Sequence, residues 1–423
     1  MKIVVVGAGI VGVTSAYALL RSGHEVTVVD RHHAPALGAS HANGGFLSPS
    51  HCAPWAAPGV PLLALKSMLA PESTIRIRPD FTWTQLSWMA RMSRECTAER
   101  FQINRQRMLA LGLYSKRCLE DVDRETNIRY ERNRGGILQL AHSPASQAAL
   151  QTQSIALGEA GVNAVWLDPK QVTRLEPAMC KRAGGLTGAL HIPGEGAGRC
   201  EKFCADMTTL LERSGVRFVW GALVDQLAIQ GAKDGRQQVF CGLRISGQTL
   251  EADACVVAAG VESRRLMAQF LHVPIYPVKG YSMTVSVSDS SGAPGCAVLD
   301  DRSRLAIAPF SDVIRVAGFA EVTGDNLRLD TTRCAQLVNG LEALFPMVAD
   351  TRNAHFWTGQ RPMTPDGTPI IGRTRIQGLY LNAGHGTYGW TLSFGSAQLL
   401  ADIVAGTQPH LPAEDYAISR YER

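Results

Sequence analysis

Gly7, Gly9 and Gly12 stand in a G-x-G-x-x-G spacing, and Asp30 follows Gly12 by eighteen residues. The chemistry open to that set is the grip of a dinucleotide. Gly7 permits a tight turn, Gly9 lacks the Cβ that would hold a pyrophosphate off the backbone, and Gly12 lets a helix pack closely on the preceding strand. An acid at the position of Asp30 accepts hydrogen bonds from a ribose and suits a free 2′-hydroxyl rather than a 2′-phosphate. Far along the chain, Arg361 offers a guanidinium, which can take a carboxylate by two parallel hydrogen bonds. Tyr281 offers a phenolic donor to the same carboxylate, with an aromatic core position as the competing reading. His51, Tyr388 and His385 are further candidates for pocket walls.

These groups act together only if the chain supplies elements to hold them. Lys2-Ile3-Val4-Val5-Val6 is a β-branched run suited to a strand buried on both faces, and Val11 to Ser22 reads as a helix whose N-terminal amides would face phosphates. Gly23 closes that helix, and Val26-Thr27-Val28-Val29 is a second strand ending at Asp30. Strand, glycines, helix, strand and acid in this order carry far more weight than the glycine spacing alone. The loop Ala39-Ser40-His41-Ala42-Asn43-Gly44-Gly45-Phe46 is made of small residues able to lie against a flat ligand.

Leu379-Tyr380-Leu381-Asn382-Ala383, the turn Gly384-His385-Gly386-Thr387-Tyr388-Gly389 and a helix from Trp390 to Val404 form another strand, glycine turn and helix. A reduced flavin ring carries negative charge near N1 and the C2 carbonyl, which helix amides and dipole stabilise. A nicotinamide has no such need, and the second unit therefore points from NAD to FAD. Between the two units, 82–97, 99–125, 146–160, 200–214 and 331–344 read as helices, and 136–140, 216–220 and 255–260 as strands. Stretches 274–287 and 304–320 add strands of an antiparallel sheet that would roof a pocket.

The 423 residues are 45% hydrophobic and 19% charged, a globular composition, and 42 Lys+Arg against 37 Asp+Glu is too small and dispersed an excess for a nucleic-acid partner. Ten cysteines without a framework read as reduced thiols in a cytoplasmic protein, and no cluster has metal-ligand spacing. The strand beginning at residue 2 leaves no room for a leader, and no apolar run is long enough to span a bilayer. The segment Pro49 to Pro71, with Trp55, Leu62, Leu63, Leu65, Met68 and Leu69 among prolines, is too broken for a long helix. It reads as a buried loop or as an apolar surface that touches the inner face of a cell membrane. No haem, iron–sulfur or second dinucleotide motif relays electrons within the chain, so an external acceptor is needed.

The chain resembles the bacterial D-amino-acid dehydrogenase small subunit, within the glycine oxidase and D-amino-acid oxidase superfamily of flavoproteins. The residues that carry the resemblance are the N-terminal fingerprint, Ala53-Pro54-Trp55-Ala56-Ala57-Pro58-Gly59, Pro277-Val278-Lys279-Gly280-Tyr281, Gly359-Gln360-Arg361-Pro362-Met363-Thr364-Pro365-Asp366-Gly367 and Gly384-His385-Gly386-Thr387-Tyr388-Gly389-Trp390. The chain departs from that pattern at His51-Cys52 and Tyr388, where an aromatic or small residue and a leucine are expected.

The resemblance implies an α/β fold with an α+β second domain. A Rossmann-type FAD-binding domain (1–52, 196–262 and 357–423) is interrupted by a substrate domain with an antiparallel sheet and flanking helices (53–195 and 263–356). It implies non-covalent FAD held by Gly7, Gly9, Ile10, Val11, Gly12, Asp30, Arg31, Ser40, Asn43, Gly44, Val224 and Gly260, and by the turn Gly384, Gly386, Thr387, Tyr388, Gly389, Trp390 and Thr391. Arg361 and Tyr281 would take the substrate carboxylate, with His51 and Tyr388 bordering the pocket. The implied reaction is hydride transfer from Cα of a D-amino acid to flavin N5, which needs no base for the α-proton, with electrons passed to a quinone-type acceptor. A dehydrogenase of cis-4-hydroxy-D-proline and an O₂-using glycine or D-amino-acid oxidase are the nearest alternatives. The sequence sets no oligomeric state.

Overall fold

The alternation of the first strand decides the architecture of one half. In the computed structural model, which describes residues 1–68, 74–179, 185–231, 238–289, 292–346 and 348–422 (side chains of 65–68 excepted), Ile3 and Val5 of the strand Lys2–Val6 point into a helical layer. Val4 and Val6 point the other way, into a three-stranded antiparallel sheet of Val224–Gln230, Val239–Ile245 and Gln248–Glu251. A strand covered on both faces wants apolar side chains throughout, which is what Lys2–Val6 carries after its first residue.

Six strands make this sheet, in the order Ile370–Arg373, Leu379–Ala383, Ala254–Val257, Lys2–Val6, Glu25–Val29 and Arg217–Val219. All pairings are parallel except that of Ile370–Arg373 with Leu379–Ala383. The helical layer is Ile10–Arg21, Cys200–Arg213 and Gly389–Ala405, with Ala98–Glu125 packed outside the last of these. A Cβ on Gly395 would lie 2.8 Å from the backbone nitrogen of Ser115, so these two helices touch nearly backbone to backbone. Cys200 and Cys204 are buried in this layer.

The second half is built on a nine-stranded, mostly antiparallel sheet. Its order is His355–Met363, Tyr276–Ser286, Val313–Val322, Leu305–Pro309, Ala297–Asp300, Ile137–Ala141, Gly188–Ile192 and Val165–Leu167, with Ile75–Ile77 paired to the end of Val313–Val322. Register divides its faces. Met283, Val316, Ile307, Val298 and Leu138 form a cross-strand row in the core beneath the helix Thr331–Leu344. The adjacent row, Ser282, Ala317, Ala306, Leu299 and Gln139, therefore faces the opposite way, toward the six-stranded half. The boundary expected between 356 and 357 falls inside His355–Met363, all of which from His355 to Met363 hydrogen-bonds to Tyr276–Ser286 in the large sheet.

The described part of the segment 49–71 holds a 3-10 turn at Pro49–His51 and a helix at Val60–Met68, with Pro61 in the first turn, where a missing N–H costs nothing. Leu62 and Leu63 on that helix are 59% and 52% exposed. The side chains of Leu65 and Met68, and all of Leu69, lie outside the described residues. Among the described residues no helix is long and apolar enough to cross a membrane.

Candidate active site

Between the two sheets runs a cavity of about 1060 Å³. At one end the glycine turn is held in its shape by its neighbours. Gly7 has φ +108°, and a Cβ on Gly12 would lie 1.8 Å from the carbonyl oxygen of Gly7, so strand, turn and helix pack without space for a methyl group. A Cβ on Gly9 would meet only the Ser40 hydroxyl, at 3.3 Å. That glycine is kept open to the cavity, whereas Gly7 and Gly12 serve the packing.

Asp30 does two things from its place at the strand end. Its Oδ2 accepts the Ala8 N–H at 2.6 Å and its Oδ1 accepts the His32 N–H at 2.8 Å, which ties the glycine loop to the second strand. The carboxylate still borders the cavity, beside Ala222, Leu223 and Val224. Gly260 and Glu262 line the same end, and Arg31 stands 3.5 Å from Glu262. Ser40 accepts the Ile10 N–H at 3.0 Å, and Asn43 closes its own turn by accepting the Gly45 N–H at 2.9 Å. Gly44 lies against Ala317 of the large sheet, where a Cβ would be 3.4 Å away. The small-residue loop thus passes directly under the sheet roof.

The C-terminal turn enters from the other side. Gly384 and Gly386 have φ +83° and +55°, and a Cβ on either would strike Thr364 or Met363. The helix Gly389–Ala405 begins with no side chain capping its amides, and Gly386 to Thr391 line the cavity. Its position is fixed by Thr391, whose hydroxyl donates to the Phe46 carbonyl and accepts the Ser48 N–H, and by Trp390, which donates to the Gly198 carbonyl. His385 is among the residues that line the cavity, with its ring turned into the protein. It is buried with Nε2 2.9 Å from the Ser396 hydroxyl, and burial pushes its pKa down to about 3, so it braces the turn as a neutral ring.

Arg361 reaches the cavity beside this turn. One of its Nη atoms donates to the Phe319 carbonyl at 2.8 Å and to the Lys279 carbonyl at 3.4 Å, and its guanidinium lies 5.8 Å from the Trp55 ring centre. Among the described residues no carboxylate is within ion-pair distance of it, and burial pushes its pKa down to about 10, still far above neutrality. Phe319 owes its inward carbonyl to a shift in the sheet register between Lys279 and Tyr281, where its own φ is +60°. Tyr388 stands between Arg361 and Cys52, its hydroxyl bonded by the Ala53 backbone and its pKa raised by burial.

Tyr281 departs from expectation. It alternates with Gly280 and Ser282, so it shares the face of Met283, and its hydroxyl donates 2.9 Å to Glu321 in a buried group with Lys279 and Arg333. Tyr281 is among the residues lining the cavity, but the period of two in a strand turns its phenol to the face opposite Gly280 and Arg361. His51 does line the cavity, through Nε2 3.1 Å from Gln139. Gln139 had a signal that composition hid: it is the one polar residue in the apolar strand Ile137–Ala141. Nothing in the sequence indicated that Phe319 would serve Arg361 through its backbone.

A long cavity with an open glycine at one end and an uncapped helix start at the other fits a flavin dinucleotide. Residues 2–403 match the family of FAD dependent oxidoreductases denoted DAO. The chain belongs to that family. FAD is accordingly the cofactor of this oxidoreductase. Solved structures share the fold at low identity. Glycine oxidase from Geobacillus kaustophilus is 22% identical with a TM-score of 0.73, covering 99% of both chains. L-proline dehydrogenase from P. horikoshii is 17% identical with a TM-score of 0.75, covering 100% of this oxidoreductase and 98% of its own chain. Iminodiacetate oxidase from Chelativorans sp. BNC1 is 24% identical with a TM-score of 0.70, covering 98% of both.

Proposed function

We propose that this oxidoreductase converts D-amino acids to 2-oxo acids and ammonia and passes the electrons to a quinone-type acceptor. The observation that carries the reading is Arg361, a buried cation in the cavity wall bonded only to neutral groups among the described residues. Such a cation is one partner short, and an α-carboxylate supplies two parallel acceptors. The similar folds named above are called after glycine, L-proline and iminodiacetate, each a carboxylate with nitrogen on its α-carbon. The preference for the D-series rests on the resemblance of the motifs around Arg361 and Gly384 to the D-amino-acid dehydrogenases.

Bound FAD supplies the hydride acceptor. The protein's part is to fix the carboxylate on Arg361, with Trp55 over the guanidinium and Tyr388 beside it, so that Cα is presented to the ring in one orientation. The acceptor side of the proposal is supported by the apolar flank of the same cavity, formed by Val60, Leu63, Ile75, Ile77, Met89 and Met92. Leu63 of that flank is half exposed and lies next to the exposed Leu62, a surface suited to an apolar oxidant and to the edge of a bilayer.

An anaerobic screen of D- and L-amino acids for bleaching of the FAD absorbance tests the reading. Bleaching by D-amino acids within the turnover time is the expected result. Bleaching by L-amino acids or glycine alone overturns the D-series assignment.

A further inference from the structure

The same cavity carries a polar chain that carboxylate capture does not use. Glu195, whose side chain is 3% exposed, accepts the Ser50 N–H at 2.7 Å and the Ser50 hydroxyl at 2.8 Å. Ser50 Oγ in turn lies 3.1 Å from His51 Nδ1, which is 3.5 Å from the Glu195 carboxylate. An ionised carboxylate only accepts, so the one hydroxyl hydrogen of Ser50 is committed to Glu195. The Ser50 oxygen is left to accept, and Nδ1 must be the donor. That assigns the neutral imidazole as its Nδ1–H form, with a lone pair on Nε2.

Nε2 faces Oε1 of Gln139 at 3.1 Å, and both residues line the cavity. Two acceptors meet there with no hydrogen between them. An imidazolium completes the chain, donating through Nδ1 to Ser50 and through Nε2 to Gln139, with Glu195 opposite the added charge. A half-turn of the Gln139 amide serves the neutral ring instead, so the pair accommodates both protonation states. The segment is anchored on either side of His51. The Ser48 N–H donates to the Thr391 hydroxyl at 3.2 Å, where the C-terminal helix starts, and Trp55 lies over Arg361.

An amino acid arrives with its nitrogen protonated, and an ammonium has no electron pair to assist departure of hydride from Cα. We infer that His51 takes the ammonium proton of the bound amino acid, with Ser50 and Glu195 fixing its tautomer and Gln139 receiving the new N–H. The inference rests on the proposed reaction. The N–H bond of the ammonium breaks with its pair staying on nitrogen, and the Nε2–H bond forms. The Cα–H bond then gives both electrons to FAD, the oxidant, while the nitrogen pair makes the C=N bond of a protonated imine. The proton on His51 leaves to water.

The groups that face this imidazole are few. Among the described residues Ser50 comes from its own segment, Glu195 from the turn after Gly188–Ile192, and Gln139 from the sheet. Lys116 and Arg132 line a small cleft with Glu195, and Arg361, Arg304, Arg31 and Arg265 are among the cations that line the cavity.

The test is the rate of anaerobic FAD reduction by a D-amino acid across pH, in the wild type, His51→Gln, His51→Ala and Glu195→Gln, each carrying its FAD. The wild type should slow as the medium becomes acid. His51→Gln should lose about 10²-fold at neutral pH and recover only where free amine forms in solution. Added imidazole should restore part of the rate to His51→Ala. A second readout needs no turnover. Calorimetry of 2-aminoisobutyrate, which has no Cα hydrogen, should show no proton release to buffer by the wild type, and either one proton released or lost binding in His51→Gln. Unchanged pH profiles in the variants, or equal proton release by the two proteins, zero included, overturn the proposal. A wild type that no D-amino acid reduces removes the parent reading and this inference together, whereas D-amino-acid reduction with unaltered His51 variants removes the inference alone.

Discussion

A β-carbon on Gly280 would lie 2.5 Å from the guanidinium carbon of Arg361. The two residues sit on neighbouring strands, and the glycine leaves the space into which the arginine folds toward the Phe319 carbonyl. Gly280→Ala should therefore displace the guanidinium without touching the FAD site. The expected outcome is intact FAD absorbance with substrate dissociation weakened about tenfold or more, ~1.4 kcal/mol, read by anaerobic titration. Unchanged affinity would mean that Arg361 has a second productive position.

The glycines of the N-terminal turn separate into two tasks. Gly12→Ala forces a methyl group to within 1.8 Å of the Gly7 oxygen, a backbone atom that cannot yield, and should cost about 3 kcal/mol or more of stability. Gly9→Ala meets a single hydroxyl at 3.3 Å and should fold, but with FAD bound more weakly. Expression and thermal melting report the first, and the ratio of flavin to protein absorbance reports the second. A Gly9→Ala protein that keeps a full complement of FAD under dialysis would contradict the reading.

His385 makes stability depend on pH. Its folded pKa of about 3 is far below the ordinary 6.5, so as the pH falls through that window the unfolded chain takes up a proton that the native ring refuses. Stability is lost on acidification, by at most about 5 kcal/mol for this group. His385→Gln keeps a partner for Ser396 and should flatten the fall of melting temperature between pH 6.5 and 4. Parallel curves for the two proteins would place the acid sensitivity elsewhere.

The acceptor assignment has its own test. FAD reduced by substrate should react slowly with air-saturated buffer and fast with a quinone analogue, followed by stopped-flow absorbance. Leu62→Ser with Leu63→Ser, both on the exposed face of Val60–Met68, should weaken binding to anionic vesicles and leave reduction by substrate unchanged. Hydrogen peroxide formed at the turnover rate would make the protein an oxidase.

The dinucleotide half was legible because its signals are local. A β-branched run, three glycines and an acid specify strand, turn and helix within thirty residues, and the observed bounds, Lys2–Val6 and Ile10–Arg21, lie within a residue or so of those expected. Leu379–Ala383 and Gly389–Ala405 were legible for the same reason. The substrate side was not. Which face Tyr281 occupies depends on register against Val313–Val322, and the irregularity that turns the Phe319 carbonyl inward is a property of two strands rather than of one segment. The link between His51 and Gln139 joins residues 88 positions apart, beyond the reach of any local pattern.

The claim on which the rest depends is that Arg361 holds the substrate carboxylate. Arg361→Ala leaves that group without its cation, and the measurement is the concentration of the best D-amino acid needed to half-reduce FAD anaerobically. The account predicts full FAD content, a loss of ~2–5 kcal/mol in substrate binding, and only partial recovery in Arg361→Lys, whose point charge cannot form the paired hydrogen bonds. Half-reduction at the wild-type concentration in Arg361→Ala would contradict it.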